Sequence, residues 1–523
     1  MNLPPINKAS AHIGFTLAAI FLALAPIHAD VRLPSVLDDH MVLQQNCEVT
    51  LWGWAFEGEV VVIETSWGVK TQAVANAQGE WRVQVKTPAA RPIDQGLHPE
   101  DITFTAAQAN RVQIKDVLIG EVWLCSGQSN MTMMLGPDYP KGNNSWFGEK
   151  YWKAESGRSD RPALRVFNVE KLGRAAPRDD CKGLLLDHTI LPKDARGLMP
   201  DVRTGWQLST PETAQYFSAI AYYFAVRLQE KLNVPVGLVT SAYGGSKIQA
   251  WISQEALQQL PAYAKTTPKV NRLGANSLFN GMIAPLTPMT FRGVLWYQGE
   301  SNVGDSAADY ATLLKTLIAD WRGRFGQNLP FGIVQLANYG NPWSDTKAAL
   351  VREAQAVVAA EVPNTGMAVA IDLGTDCIHT PDKRDVANRL ALWARATTYG
   401  ETNLVYLSPR YQSHKVAGAS IRVRLATGGA ALMSAKLNAD GETVPTPQEP
   451  LRGFQIAGAG EKWVAADAVI DGDDVVVSSA DVSSPMSVRY AWATNPQGCN
   501  LYNTAGLPAA PFGTDAKIKP MSK

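Results

Sequence analysis

The sequence is poor in the features that mark nucleic-acid-binding and metal-binding proteins. Lysine plus arginine and aspartate plus glutamate number 48 each among 523 residues, so no net charge attracts a nucleic acid or an anionic membrane. The five cysteines have no metal-ligand spacing, and no phosphate-binding glycine loop occurs. We therefore expect a reaction without cofactor or metal and no nucleic-acid partner, and a neutral ligand such as a carbohydrate fits this balance.

Long apolar runs are also missing, except near the N-terminus. Lys8 precedes a nearly unbroken apolar run over residues 13–25, and Ala29 is a small residue suited to cleavage. About 13 apolar residues are too few to span a bilayer, which needs roughly 20. We interpret residues 1–29 as a signal peptide of a secreted or periplasmic protein that has no stable membrane insertion. In that compartment one or two disulfides and mostly buried thiols are both open.

The remaining chain divides by its pattern of apolar residues. Short β-rich runs separated by turns predict an antiparallel N-terminal β-sandwich over residues 30–115 and a C-terminal β-rich region over residues 401–523. Between them, residues 116–400 alternate buried strands with amphipathic helices, which predicts an α/β domain whose parallel sheet is covered by helices on both faces. An irregular excursion is expected at about 136–205. The strands are predicted at 117–124, 236–240, 293–297, 331–336 and 367–371, and the helices at 211–232, 307–321, 348–360 and 381–399.

Unusual polar residues follow four of these strands. Ligands of parallel sheets bind beyond the carboxyl ends of the strands, so residues 127–130, 244–246, 298–302 and 376–379 should meet at one edge. Ser129 follows Gly127 just past the first strand, where a fixed backbone can present its hydroxyl to a cleft. Met131 occupies the second glycine position of a Gly-x-Ser-x-Gly elbow, which disfavours an ordinary α/β-hydrolase.

A serine nucleophile needs a base, usually histidine. His379 is the best placed, because it follows the last strand and precedes a helix for which Thr380 is the expected N-cap. Asp376 lies three residues earlier, where a turn can bring its carboxylate to the imidazole. His188, beside Asp187 in the excursion, stays an open alternative.

Acyl transfer also needs donors aimed at the developing oxyanion. The candidates are the backbone N–H of Ser129, a backbone N–H of the Gly244-Gly245 turn, with Gly245 preferred, and the side-chain amide of Asn302. Three further residues of the strand-end loops are candidate substrate contacts, namely Gln128, Gln298 and Glu300, and the carboxylate of Glu300 is alternatively structural.

Several ordered motifs resemble the sialate O-acetylesterase family, the SGNH-type esterases that remove acetyl groups from sugars. The resemblance implies an SGNH-hydrolase-like fold, Ser129 as the nucleophile, His379 as the general base and Asp376 as its orienting partner. Thr380 departs from the family pattern, which more often has proline directly after the histidine. The matching stretches are VWLCSGQSNM at 122–131, PVGL at 235–238, GGS at 244–246, NGMIAPL at 280–286, GVLWYQGESN at 293–302, DCIH at 376–379, NRL at 388–390, VRYAW at 488–492 and NLYN at 500–503.

The sequence thus predicts a serine esterase that deacetylates carbohydrate through an acetyl-enzyme intermediate. Sialic acid and hemicellulose such as xylan or xyloglucan are both open as the acetylated substrate. A noncatalytic carbohydrate-binding protein and an esterase or lipase of broader acyl range are the alternatives. The oligomeric state and the role of the β-rich domains are not indicated.

Overall fold

The structure, a computed structural model, describes residues 1, 30–106, 111–136, 150–185, 203–265, 273–304 and 306–515. Its N-terminal part is a pair of packed sheets, as predicted. One sheet joins four strands in antiparallel order, and the other joins two, with the Trp81 and Phe104 rings 5.7 Å apart between them. The strands are β1 (Val42–Gln44), β2 (Glu48–Trp54), β3 (Val60–Thr65), β4 (Lys70–Val74), β5 (Glu80–Lys86), β6 (Glu100–Ala106) and β7 (Arg111–Gly127).

Strand β7 belongs to two sheets. Its first half pairs antiparallel with β6, and its second half is the middle strand of the central parallel sheet. The boundary expected between residues 115 and 116 therefore falls inside one continuous strand. Because the second half is buried on both faces, β7 fixes the turn at its carboxyl end relative to both parts of the chain.

The central sheet has the order β13-β12-β11-β7-β10-β8-β9, and its pairs are parallel except for the β8 and β9 pair. Strand β8 lies in the segment that the sequence predicts to be irregular. The buried Arg165 interrupts the apolar pattern of this strand, and its guanidinium lies 2.9 Å from the Asp116 carboxylate. The strands are β8 (Arg161–Asn168), β9 (Gln207–Ser209), β10 (Val236–Ala242), β11 (Gly293–Tyr297), β12 (Phe331–Val334) and β13 (Thr365–Ala368).

Helices cover both faces of this sheet. Trp123 and Trp296 point to opposite faces, because Trp296 pairs with Ser126, three residues along β7 from Trp123. Rings of α4 and α8 pack on Trp123, and a ring of α6 packs on Trp296. The helices are α1 (Ser129–Thr132), α2 (Trp152–Glu155), α3 (Pro211–Ala214), α4 (Ala219–Leu232), α5 (Gln254–Gln258), α6 (Tyr310–Phe325), α7 (Lys347–Glu361) and α8 (Lys383–Thr397).

Two helix boundaries differ from the sequence prediction. The single helix expected over 211–232 is α3 followed by α4, because the Ser218 hydroxyl accepts a hydrogen bond from the Ala221 N–H and starts a new helix. Helix α8 is capped by Asp382 rather than Thr380, since the Asp382 carboxylate accepts a hydrogen bond from the Asp385 N–H over 3.0 Å.

The C-terminal region is β-rich, as predicted, and its core includes Val369 and Ile371 from the end of the central domain. In the part of the chain that the structure describes, no helix is both long and apolar enough to cross a membrane. The strands are β14 (Arg410–Ala417), β15 (Ser420–Ala426), β16 (Leu432–Leu437), β17 (Thr443–Pro445), β18 (Phe454–Ala457), β19 (Val464–Ala465), β20 (Asp467–Asp471), β21 (Asp474–Ser478), β22 (Ser487–Tyr490), β23 (Leu501–Asn503) and β24 (Phe512–Gly513).

Candidate active site

Ser129 is the first residue of α1, two residues past the end of β7. Gly127 has a φ of +143°, and a Cβ there would collide with the carbonyl oxygen of Tyr297 on β11, so the tight exit from the strand requires glycine. Ser129 is 7% exposed. Its backbone N–H lies in the first turn of α1, where a helix offers no carbonyl acceptor, and it is therefore free of its own helix.

The glycine turn after β10 lies against Ser129. A Cβ built on Gly244 would stand 3.6 Å from the Cβ of Ser129, at van der Waals contact distance, so the turn packs directly beside the serine. Gly245, the next residue of the turn, has a φ of +72° and is exposed. The Ser246 hydroxyl donates to the Tyr243 carbonyl over 2.7 Å, and this bond closes the turn. Gly244 therefore lies beside Ser129, and the role of the Gly245 backbone N–H as an oxyanion donor stays a prediction.

Asn130 connects three of the strand-end loops. Its amide nitrogen donates to the backbone carbonyl of Ile378 over 3.1 Å and also to the carboxylate of Glu300. Its amide oxygen accepts a hydrogen bond from the Lys383 ammonium over 2.6 Å. Since Asn130 follows Ser129 and Ile378 precedes His379, this contact brings the serine and the histidine to the same end of the sheet.

His379 is 6% exposed. Burial and, to a smaller extent, the nearby positive charge of Lys383 together lower its pKa to about 4. The imidazole is therefore neutral at neutral pH, which is the form that a general base needs. Its backbone N–H donates to the Cys377 sulfur over 3.4 Å.

Asp376 occupies the exposed part of the loop before His379. Its backbone carbonyl accepts a hydrogen bond from the Gly340 N–H over 3.0 Å, which ties this loop to the one after β12. The role of the Asp376 carboxylate as the orienting partner of His379 stays a prediction.

The amides of Gln128, Gln298 and Asn302 form one buried network. The Gln298 amide nitrogen donates to Gln128 Oε1 over 3.2 Å and to Asn302 Oδ1 over 2.8 Å. Gln298 has no exposed surface, so it supports Gln128 and does not occupy the substrate-contacting position that the sequence predicts. Asn302 Nδ2 donates to Gln249 and Ser306, so an oxyanion contact would have to replace one of these bonds.

Glu300 is buried beneath the turn rather than exposed to a ligand. Burial raises the pKa of its carboxyl, and the hydrogen bond from Asn130 and the charge of Lys383 oppose that rise. Oxygen Oε2 has no hydrogen-bond partner among the described residues. Glu300 therefore takes the structural position that the sequence left open. Sequence reasoning missed the linking roles of Asn130 and Lys383, because a lysine near the start of a helix is normally solvated.

Two predictions from the sequence concern segments that the structure does not describe. His188 and Asp187 lie outside the described residues, as do residues 2–29.

All five cysteines are free, and Cys125 and Cys181 are buried. No group of three His, Cys, Asp or Glu side chains is arranged to hold a metal ion within the described ranges.

Comparison with known proteins identifies the family. The model of the carbohydrate esterase family described as sialic acid-specific acetylesterase matches residues 208–393. A solved carbohydrate acetylesterase from Xanthomonas citri is 33% identical, with 93% of this chain and 100% of that chain covered and a TM-score of 0.78. The chain belongs to the sialate O-acetylesterase family.

Relatives of this acetylesterase match over nearly its whole length. The curated sialate O-acetylesterases of Homo sapiens and Pongo abelii are each 29% identical over 553 residues, with 96% of this chain and 95% of theirs covered. These comparisons confirm the predicted α/β fold of SGNH type and the predicted activity. The chain is an esterase that removes O-acetyl groups from carbohydrate.

Proposed function

We propose that this acetylesterase works through an acetyl-enzyme intermediate on Ser129. The Ser129 hydroxyl oxygen attacks the acetyl carbonyl carbon while His379 takes the hydroxyl proton. His379 then passes this proton to the sugar oxygen as the ester bond breaks. Water attacks the acetyl-enzyme with His379 again as the base, which releases acetate and restores the serine.

The other site residues support this sequence of steps. The backbone N–H groups of Ser129 and Gly245 are the proposed donors to the oxyanion, and Asp376 is proposed to orient the imidazole of His379. The observation that carries the proposal is the Asn130 contact to Ile378, which unites the Ser129 turn with the loop of a neutral, buried His379.

A covalent label tests the mechanism. Diisopropyl fluorophosphate should modify the unmodified protein, and peptide mass mapping should find the label on Ser129 alone. The His379→Ala variant should label far more slowly, because the serine then lacks its base. Labelling at another residue, or loss of activity in His188→Ala but not in His379→Ala, would overturn these assignments.

The substrate and the compartment belong to the same proposal. The relatives named sialate O-acetylesterase make O-acetylated sialic acid the first substrate to test, with acetylated xylan and xyloglucan beside it. Acetate release across that panel ranks the three. We further propose export with removal of residues 1–29, and the N-terminus of the protein recovered from its source should then be Asp30. A mature protein that begins at Met1 would contradict export by cleavage.

A further inference from the structure

The loop after β12 borders the loop that carries His379. The loop runs from the end of β12 at Val334 to the start of α7 at Lys347. Within it, the Gly340 N–H donates to the Asp376 carbonyl over 3.0 Å. Both loops follow carboxyl ends of neighbouring parallel strands, so they form adjoining parts of one rim.

Trp343 stands exposed on this rim. It is 42% exposed, and its backbone φ is +55°. A bulky residue is rarely found in this left-handed conformation, because its Cβ crowds the backbone, and such residues cluster at functional sites. An exposed tryptophan in a strained conformation must be held there by its surroundings.

The C-terminal region supplies what holds Trp343. The Trp343 backbone N–H donates to the Asn495 carbonyl over 2.9 Å, and its indole N–H donates to the Gln497 carbonyl over 3.2 Å. Asn495 is itself fixed, since its side-chain oxygen accepts a hydrogen bond from the Asn338 amide over 2.9 Å. The indole is therefore bonded at its polar edge while much of its surface stays open to solvent.

We infer that Trp343 is a stacking platform for a sugar ring of the carbohydrate substrate. The C–H groups of a pyranose ring form an apolar face, and a flat indole covers such a face without needing hydrogen bonds from the ring. A platform fixed before binding loses little side-chain entropy when the sugar docks. The inference rests on the proposed function, because it places the sugar beside the His379 loop.

The test compares a glycan with a substrate that has no sugar. The Trp343→Ala variant should lose roughly five- to tenfold in kcat/KM on the acetylated glycan of the panel that the unmodified protein hydrolyses fastest, mainly through KM. The loss of kcat/KM that this variant shows on 4-nitrophenyl acetate should be at least threefold smaller. Trp343→Phe should recover most of the glycan activity, because a smaller ring still stacks.

Phe56→Ala is the matched control. Phe56 is 40% exposed and lies in the N-terminal part. Its replacement deletes a similarly exposed ring and should leave kcat/KM unchanged on both substrates. Equal losses on the glycan and on 4-nitrophenyl acetate in Trp343→Ala, or no loss on either, would overturn the platform. Failure of the proposed function is a separate result, since it appears as full activity in Ser129→Ala.

Discussion

The side-chain amide of Asn130 donates a hydrogen bond to the backbone carbonyl of Ile378 over 3.1 Å. This contact joins the turn that begins with Ser129 to the loop that ends with His379, although about 250 residues separate them in the chain. The same side chain contacts Glu300 and Lys383, so the geometry of the site depends on one residue that does not react.

Replacing Asn130 with alanine should therefore damage catalysis without removing a reacting group. The substitution frees the Ser129 turn from the His379 loop, and small displacements of reacting groups can cost about 100-fold in rate. We expect kcat on 4-nitrophenyl acetate to fall on that order and Tm to fall, because the buried Glu300 and Lys383 lose a partner. Asn438→Ala, at a surface turn of the C-terminal region, is the control. A kcat within twofold of the unmodified value would refute the positioning role.

The enzyme should keep its full kcat/KM at unusually acidic pH. A general base works only when unprotonated, and burial together with the charge of Lys383 lowers the pKa of His379 from its ordinary value of 6.5 to about 4. The kcat/KM for 4-nitrophenyl acetate should therefore stay level as the pH falls through 6.5 and decline only near pH 4. A decline centred near pH 6.5 would show that the base is a solvated histidine.

Lys383→Met should move that decline to higher pH. The positive charge of Lys383 disfavours the imidazolium, so its removal raises the pKa of His379. Lys383→Arg retains the charge and is the matched control, with an expected acid limb close to that of the unmodified protein. An unchanged acid limb in Lys383→Met, measured on protein that remains folded by circular dichroism, would contradict the electrostatic role.

Asn302→Ala separates a supporting role from an oxyanion role. Its amide oxygen accepts hydrogen bonds from the Ile248 N–H and from Gln298, and its nitrogen donates to Gln249 and Ser306. We expect a lower Tm, because the substitution leaves the buried Ile248 N–H without its acceptor, and a loss in kcat below tenfold. A 100- to 1,000-fold loss in kcat at unchanged Tm would instead assign Asn302 to the oxyanion, the magnitude that removal of one such donor produces.

The sequence predicts the parts of this protein whose pattern is local. The alternation of buried strands and amphipathic helices predicts β10, β11, α6 and α7 to within a few residues. Strand β8 escapes prediction because Arg165 is paired with Asp116, which lies far away in the chain. A long-range pair of this kind leaves no periodic signal.

The same distinction applies to the site. Ser129, His379 and the glycine turn are recognisable because they follow strands at one edge of the sheet. The sequence could not predict that Gln298 is buried, and it could not decide between a structural and a substrate-contacting Glu300, because both positions depend on the amides of Gln128 and Asn130 from another strand end. Residues that support a site through such contacts look like substrate contacts when only their order is known.

In the proposed mechanism Ser129 carries the acetyl group. Acetate release should be measured for the unmodified protein and for Ser129→Ala on the preferred acetylated glycan and on 4-nitrophenyl acetate, with Tm determined for both proteins. We expect the variant to lose turnover of both substrates by at least about 1,000-fold while its Tm stays unchanged. Full acetate release by a folded Ser129→Ala protein would contradict it.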